Sequence, residues 1–296
     1  MKSALQKSPI PEKYAFVAKT LTDPIFDPVW HFHSEYQLFL VLKGSGTRFI
    51  GDTVKPFTAG DLTFTGPNLP HLWRSDQEGK AGENLKHSEG IVVYFNEDLV
   101  GEHLFQKEEA IKLRQLFQNS LRGIEITGET AKSIRAMLMA LLRLEGFAGV
   151  LELLKILDCL SKSSEIVLLA SPGYTNTLKE DDTERMNEVY AYVMKHFKEK
   201  VTITTLAELT NMTPTSFSRY FKTHANKTFS DFISEIRVGH ACKLLIEQEM
   251  NVSQIGYESG FQTLSNFNRQ FKQITKRTPL RYKKEYHTNY RSRKLK

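Results

Sequence analysis

The sequence of 296 residues is poor in the features that mark secreted and membrane proteins. It has only two cysteines, Cys159 and Cys242. They fall in different predicted helices of different domains, so we expect no disulfide. The chain has no run of about 18 apolar residues, and its N-terminus lacks the apolar core of a signal peptide. These absences argue against a membrane partner and predict a cytoplasmic protein.

Acidic residues are scarce in the C-terminal part of the chain. Residues 183–296 contain 20 Lys and Arg against 10 Asp and Glu, whereas residues 1–182 contain 20 against 24. The formal net charge of the whole chain is +6. A basic segment joined to a mildly acidic one is typical of a protein in which one domain binds nucleic-acid phosphates. The chain length favours about two domains.

The basic segment contains an internal repeat. The hexapeptide Phe-Ser-Arg-Tyr-Phe-Lys at 217–222 recurs as Phe-Asn-Arg-Gln-Phe-Lys at 267–272. A threonine precedes each copy by four residues and is suited to cap a helix. Apolar residues at helical spacing come before each threonine, and Asn211 or Gly260 lies at the intervening turn. The pattern therefore predicts two helix-turn-helix units, with one extra residue in the second turn near Gln262.

The second helix of each unit has two distinct faces. Spacing of four residues places Phe217 with Phe221, and Phe267 with Phe271, on an inner face, where we expect core packing. On the outer face lie short polar and basic side chains; Arg suits guanine, Asn suits adenine, and Lys more often meets phosphate. A solvated surface would explain the charges of one copy alone. Two matched copies in a basic segment favour DNA contact.

A long helical pattern over residues 229–248 separates the two units. If this helix holds the two recognition helices about one DNA turn apart, roughly 34 Å, both would enter successive major grooves on one face of the duplex. One chain would then act as a covalent pair of DNA readers.

From near Met186 to Tyr286, these motifs resemble the AraC/XylS family of transcription regulators, which has two helix-turn-helix units joined by a linker helix. Two residues depart from the family pattern. Gly256 replaces a usual Ala, which weakens its helix by up to ~1 kcal/mol, and Asn211 replaces a common Gly. The resemblance places the base-reading positions at Thr215, Ser218, Arg219, Leu264, Ser265, Asn268 and Arg269. The two caps, Thr213 and Thr263, and the basic residues Lys222 and Lys272 complete the predicted DNA-binding set.

The N-terminal part of the chain, from about residue 14 to residue 95, has the pattern of short β-strands. Apolar strand runs occur at 37–42, 47–50 and 91–95, and glycine-containing turns separate them. Many short strands at close spacing predict a barrel or a jelly roll.

Histidines and a glutamine stand out in this β region. His31 and His33 would lie on one face of a strand, with Gln37 on the same face, and His71 follows a later turn. The arrangement resembles a cupin, in particular the cupin-like sensor domain of AraC-type regulators. Metal cupins place two His and a Glu in a first motif and a third His in a second. The resemblance puts these four residues at those positions, and Gln in place of the acid weakens a metal site.

Three interpretations of these side chains compete. They are polar linings that hydrogen-bond their neighbours, or they line a small-molecule pocket, or they bind a metal. We favour the pocket, because a mixed aromatic and polar barrel mouth suits a ligand. A metal is the least favoured, and we expect no cofactor. The predicted pocket residues are His31, His33, Gln37, Arg48, His71, Trp73 and Tyr94, together with Trp30.

Residues 106–170 switch to helical periodicity and carry three apolar stripes. The third, over residues 151–160, is apolar around much of its circumference, which favours contact with a second subunit beyond ordinary core packing. The predicted domains are a cupin-like sensing domain at 1–105, a helical dimerisation segment at 106–172, a flexible linker at 173–184, a DNA-binding domain at 185–290 and a basic tail at 291–296.

Together the patterns predict an α+β multidomain protein, in which a cupin-like β-barrel with a helical dimerisation segment precedes an all-α double helix-turn-helix. The expected function is sequence-specific transcription regulation rather than catalysis. The expected partners are double-stranded promoter DNA, a second copy of the chain, a small-molecule effector such as a sugar and, for an activator, RNA polymerase. Two alternatives stay open, namely a metal-dependent cupin enzyme fused to a DNA-binding module and a regulator without an effector.

Overall fold

The computed structural model describes residues 9–23, 26, 29–75, 88–174, 176, 180–247 and 250–285. The predicted basic tail at 291–296 lies outside these residues. The chain forms two compact domains, which are Met1–Thr53 with Phe57–Thr183, and Glu184–Lys296 with Val54–Pro56. None of the helices in the described part of the chain is long and apolar enough to cross a membrane.

The N-terminal domain is built on two antiparallel sheets. Its described strands are β1 (Phe16–Asp23), β2 (Tyr36–Lys43), β3 (Gly46–Ile50), β4 (Thr53–Phe57), β5 (Leu62–Thr65), β6 (His71–Ser75), β7 (Ser88–Phe95), β8 (Ile124–Ile126) and β9 (Ile166–Leu168). One sheet has the order β1-β7-β2-β5-β8-β9, and the other has the order β4-β3-β6. This architecture confirms the prediction of a β-rich N-terminal domain.

Alternating side chains along β2 divide the core of this domain into two layers. Leu38 and Leu40 pack with residues of the helices, whereas Phe39 and Val41 pack between the two sheets. The ring of Phe39 meets the ring of Trp73 edge-on from the other sheet, with centroids 4.6 Å apart. The interior between the sheets is therefore where inward side chains of β2, β3, β6 and β7 meet.

Helices cover the outer face of the large sheet. They are α1 (Glu102–Phe105), α2 (Ile111–Ser120), α3 (Gly128–Leu141) and α4 (Gly146–Ser161), with 3₁₀ turns at Glu97–Val100 and Glu108–Ala110. The segment predicted to be helical, at 106–172, also contains the two short strands β8 and β9. β8 pairs with β5, and β9 pairs with β8. Strands of three residues are too short to leave a period-2 pattern of their own.

The segment around His31 is not a strand, so that detail of the sequence prediction is wrong. His31 instead forms an isolated bridge with His71. Their backbone amides and carbonyls exchange hydrogen bonds of 3.2 and 2.9 Å. This bridge still brings the first histidine motif beside the second one, because it joins the chain before β2 to the start of β6.

The C-terminal domain is helical. Its described helices are α5 (Glu180–His196), α6 (Ile203–Leu209), α7 (Pro214–Ala225), α8 (Phe229–Glu247), α9 (Val252–Glu258) and α10 (Leu264–Thr275), and residues 279–285 are also helical. The long pattern predicted over 229–248 is observed as α8. Helices α6 with α7, and α9 with α10, form two helix-turn-helix units on either side of it.

Arg237 of α8 ties the two halves of this domain together. Its Nε donates to the carbonyl of Phe197 at 2.7 Å, and one terminal nitrogen donates to the carbonyl of Glu199 at 2.8 Å. The guanidinium also lies over the ring of Phe261, 5.9 Å from its centroid. One side chain thus joins the segment before α6 to the turn between α9 and α10.

Candidate nucleic-acid interface and histidine cluster

The first helix-turn-helix begins each helix with a threonine cap, as the sequence predicts. The hydroxyl of Thr202 accepts from the amide of Thr205, and that of Thr213 accepts from the amide of Ser216. Asn211 lies in the turn with φ +54°, the left-handed conformation that asparagine tolerates. Pro214 then fixes the first residue of α7. These local bonds set the direction in which α7 leaves the turn.

The second helix-turn-helix uses the same logic with different residues. Asn251 and Gln254 form a reciprocal capping box at the start of α9, and Thr263 caps α10. Five residues separate α9 from α10, whereas four separate α6 from α7. The extra residue predicted near Gln262 is therefore confirmed.

The paired phenylalanines are core residues. Phe217, Phe221, Phe267 and Phe271 are each fully buried. The ring centroids of Phe217 and Phe221 lie 5.8 Å apart, and those of Phe267 and Phe271 lie 5.6 Å apart. Because these rings fix α7 and α10 from the inside, the opposite faces of both helices are free to meet a partner.

The residues predicted to bind DNA lie on these opposite faces, and almost all of them are exposed. Ten members are exposed and Leu264 is half-buried. The exposed ones are Thr213, Thr215, Ser218, Arg219 and Lys222 around α7, and Thr263, Ser265, Asn268, Arg269 and Lys272 around α10. The structure thus gathers the residues of each copy on one helix face, with basic and amide groups outward.

Gly256 has a packing reason that the sequence did not reveal. A Cβ added there would lie 2.8 Å from Cδ1 of the Phe267 ring. The glycine lowers the helix propensity of α9, but because it has no side chain it allows α10 to approach α9 closely. The departure from the family pattern is a property of this interface between two helices, and not simply a weaker helix.

Between the two sheets, the side chains of three histidines converge. His31, His33 and His71 are buried, and one potential ligand nitrogen from each lies within 4.8 Å of the others. The side-chain oxygen of Gln37 lies 3.1 Å from Nε2 of His33 and 3.3 Å from Nε2 of His71. The edge of the His33 ring meets Tyr94, with centroids 5.2 Å apart. The four residues singled out in the sequence therefore form one cluster.

The tautomers of these histidines follow from their backbone partners. Nδ1 of His31, His33 and His71 faces the carbonyls of Val29, Glu35 and Leu69 at 2.7, 3.1 and 2.7 Å, respectively. A carbonyl only accepts, so Nδ1 of each ring carries a proton and each neutral ring keeps a lone pair on Nε2. Burial, and then the neighbouring imidazoles, hold the pKa of His71 well below its usual value. His71 is therefore neutral, and its unprotonated ring nitrogen is Nε2.

Gln37 fits this arrangement when its amide nitrogen, rather than its oxygen, faces the rings. The two ends of an amide side chain are assigned from the hydrogen-bond network. With its NH₂ group toward His33 and His71, Gln37 donates to both Nε2 lone pairs. The Nε2 atoms of His33 and His71 are then satisfied without a ligand, as the polar-lining interpretation requires.

Arg48 lies in the same interior but has its own partners. Its Nε is 3.2 Å from a carboxylate oxygen of Asp61, and a terminal nitrogen is 3.0 Å from Glu125. These contacts join β3 of the small sheet to β8 of the large sheet and to the residue that precedes β5. Nearby, the hydroxyl of Thr63 and the indole nitrogen of Trp73 are buried without a hydrogen-bond partner. Arg48 and Trp73 were predicted pocket residues, whereas no sequence pattern pointed to Asp61, Thr63 or Glu125.

Two family models match the chain. The model described as an AraC-like ligand binding domain matches residues 15–144, and the model described as a helix-turn-helix domain matches residues 206–285. The first match includes the histidine cluster, and the second includes both exposed recognition faces.

Relatives share these regions to different extents. The chain is 24% identical over 269 residues to a protein of Bacillus subtilis (strain 168) described as the uncharacterized HTH-type transcriptional regulator YdeC, covering 86% of this chain and 85% of that protein. It is 32% identical over 93 residues to the similarly described YobQ of the same organism, which is 31% of this chain and 39% of that protein.

Solved structures also align with the chain. Unsaturated fatty acid bound wild-type ToxT from Vibrio cholerae is 14% identical, over 93% of this chain and 97% of that one, with a TM-score of 0.34. The DNA-binding domain of AdpA in complex with a target DNA is 23% identical, over 36% of this chain and 95% of that one, also with a TM-score of 0.34.

Proposed function

We propose, from the premise that the chain belongs to the AraC family of transcription regulators, that it reads promoter DNA with both of its helix-turn-helix units. The chain is a DNA-binding transcription regulator with a ligand-binding domain. The observation that carries the finer proposal is the pair of exposed faces on α7 and α10. Each face combines an Arg, a Lys and short polar groups, in a segment with twice as many basic as acidic residues.

The two faces suit two kinds of contact with a duplex. Arg219 and Arg269 have the forked donors that pair with guanine, and Asn268 has the amide that pairs with adenine. Lys222 and Lys272 lie one helical turn further along, where they would meet phosphates. Base contacts by the two helices on one side of the duplex require sites about one helical turn apart.

Selection of DNA from a randomised pool tests this proposal. The purified chain is expected to enrich sequences with two short preferred blocks, whose centres lie about 10 base pairs apart. A matched selection with the Arg219→Ala variant should lose preference in one block only. Enrichment of a single block by the unchanged chain would contradict the two-reader proposal.

We propose that the N-terminal domain binds a polar small-molecule effector between its sheets. The proposed contacts are His31, His33, Gln37, Arg48, His71, Trp73 and Tyr94. Support comes from the buried, unpartnered donors of Thr63 and Trp73, because such groups carry a free-energy cost that a polar ligand relieves. An effector that binds two domain arrangements with different affinity would shift which DNA sites the regulator occupies.

We further propose that the regulator acts as a homodimer through α4. Phe147 is 72% exposed and Leu151 is 46% exposed on this helix, although Leu153 and Leu157 of the same helix are buried. Large exposed apolar side chains on one helix favour contact with another protein surface.

RNA polymerase is a further proposed partner, if the regulator activates transcription.

A divalent metal is a second candidate occupant of the histidine cluster, and the donor set supports it. Ring nitrogens that ligate metals usually have the other ring nitrogen bound to a carbonyl or carboxylate, as all three Nδ1 atoms have here. The potential ligand nitrogens of the three histidines lie up to 4.8 Å from one another. They would have to move closer together to bind one ion, since Zn–N bonds are about 2.0–2.1 Å. His31, His33 and His71 would hold the ion, with the Gln37 oxygen as a fourth ligand. A bound ion would supply a Lewis acid.

Metal analysis separates these occupants. After incubation with Zn²⁺, Ni²⁺ or Mn²⁺ and removal of the excess, the chain should retain about one equivalent of ion if the cluster is a metal site. His71→Ala should abolish retention, whereas the exposed His103→Ala should not. Gln37→Glu should tighten binding, because it adds the missing negative ligand. Absence of retained metal in both the unchanged chain and Gln37→Glu would exclude the metal site, and would leave the polar effector and the polar-lining interpretation.

A further inference from the structure

The two recognition helices differ in how they hold their arginines. On α10, a terminal nitrogen of Arg269 donates to the side-chain oxygen of Asn266 at 3.1 Å. Asn266 is half-buried, and its backbone amide is bound by the cap hydroxyl of Thr263. The residue that contacts the guanidinium is therefore itself anchored in the first turn of the helix.

The first recognition helix has no such arrangement. Its position equivalent to Asn266 is Ser216, whose hydroxyl oxygen accepts from the cap hydroxyl of Thr213 at 3.0 Å. The Ser216 side chain therefore bonds the cap of the helix and not Arg219. Within the described residues, no hydrogen bond holds the guanidinium of Arg219. The arginine of α7 is thus free to sample its rotamers, whereas that of α10 is tethered.

From this contrast we infer that Asn266 is a positioning residue, which orients Arg269 for base recognition and makes the second unit the more discriminating reader. The inference rests on the proposed function, in which Arg269 contacts a base. A guanidinium has five N–H donors, so one bond to Asn266 leaves enough donors for a bidentate contact with guanine. A tethered arginine also loses less rotamer freedom when it binds, which favours the correct base.

The test compares Asn266→Ala with Ser216→Ala in the full chain. Affinity is measured for the selected DNA, for the same DNA changed at the base pair read by Arg269, and for random DNA. Asn266→Ala should lower affinity for the selected DNA by about 3- to 10-fold and leave random DNA unchanged, so that discrimination at that base pair falls. Ser216→Ala should leave this discrimination intact. Equal losses on all three DNAs would overturn the inference.

A double-mutant cycle separates positioning from direct contact. In the Arg269→Ala background, Asn266→Ala should have no further effect, since there is no guanidinium left to orient. A further loss of discrimination in that background would show that Asn266 reads a base itself and would overturn the inference. If Arg269→Ala alone leaves discrimination unchanged, the base contact of Arg269 fails, and the positioning role fails with it. If Arg269→Ala lowers discrimination but Asn266→Ala does not, the base contact of Arg269 stands and only the positioning role of Asn266 is rejected.

The reverse substitution gives an independent readout. Ser216→Asn places the same amide one turn before Arg219, where it would tether the first arginine in the same way. Preference in the DNA block read by α7 should then sharpen by about 3- to 10-fold. An unchanged preference in that block would contradict the view that this tether sets the difference between the two readers.

Discussion

Replacement of Gly260 with alanine is expected to lower the free energy of unfolding of the C-terminal domain by about 2–5 kcal/mol. Gly260 has φ +87°, a conformation that side chains with a Cβ rarely adopt. An added Cβ would lie 2.5 Å from the carbonyl oxygen of Phe197 and 2.8 Å from Cα of Lys198. Both atoms belong to the backbone, so the contact cannot be relieved by rotation of a side chain.

The clash reaches beyond the turn itself. The carbonyl of Phe197 is the one that accepts from Nε of Arg237. Any shift that makes room for the methyl group therefore disturbs the side chain that joins the two halves of the domain. Urea unfolding, followed by helical circular dichroism, measures the loss as a lower midpoint for the helical domain.

Asn211→Ala is the matched control. Asn211 occupies the corresponding turn of the first unit, also with positive φ, but its side chain is exposed. Its replacement removes only the left-handed preference, so a loss of about 1 kcal/mol is expected. A Gly260→Ala variant that is no more destabilised than Asn211→Ala would contradict this prediction. The backbone around Gly260 and Phe197 would then make room for the methyl group without a cost in stability.

Arg269→Ala is expected to weaken binding to the selected DNA by about 1–3 kcal/mol, roughly 5- to 150-fold. The physical reason is the loss of a bidentate contact with a base. Random DNA should be affected much less, because its binding depends mainly on phosphates. Titration of both DNAs by fluorescence anisotropy, at two salt concentrations, measures the effect.

Lys272→Ala is the control for this prediction. Lys272 lies on the same exposed face of α10, where we assign it to phosphate. Its removal should weaken specific and random DNA to a similar degree, and should reduce the salt slope by about 1. If Arg269→Ala behaved like Lys272→Ala, Arg269 would be a phosphate contact and its assignment to a base would fail.

Much of the C-terminal domain could be predicted because its determinants are local. The caps Thr202, Thr213 and Thr263 each act within three residues of their own position, and the left-handed Asn211 acts within one turn. The internal repeat shows the same pattern a second time, which supports the prediction of two helix-turn-helix units. The sequence could not predict the reach of Arg237 or the close approach at Gly256, since both depend on how helices distant in sequence pack.

The N-terminal domain was less predictable, because its contacts join distant parts of the chain. Strand β8 is defined by pairing with β5, about 60 residues earlier in the chain, and β9 is defined by pairing with β8; neither has a pattern of its own. The ion contacts of Arg48 with Asp61 and Glu125 are likewise hidden from the sequence. A strand pattern predicts which residues face inward, but it does not predict which residues of the other sheet they contact.

Local sequence patterns were sufficient to predict the two helix-turn-helix units and their outward residues, because helix periodicity and capping act over a few residues. The spacing of the histidines also singled them out. The folded chain was needed to show that His31 and His33 meet His71 through a bridge rather than along a strand. It also decided that all three Nδ1 atoms face carbonyls and so leave Nε2 available. These contacts are not local, because the position of each imidazole depends on how the two sheets pack, and no short sequence pattern specifies that packing.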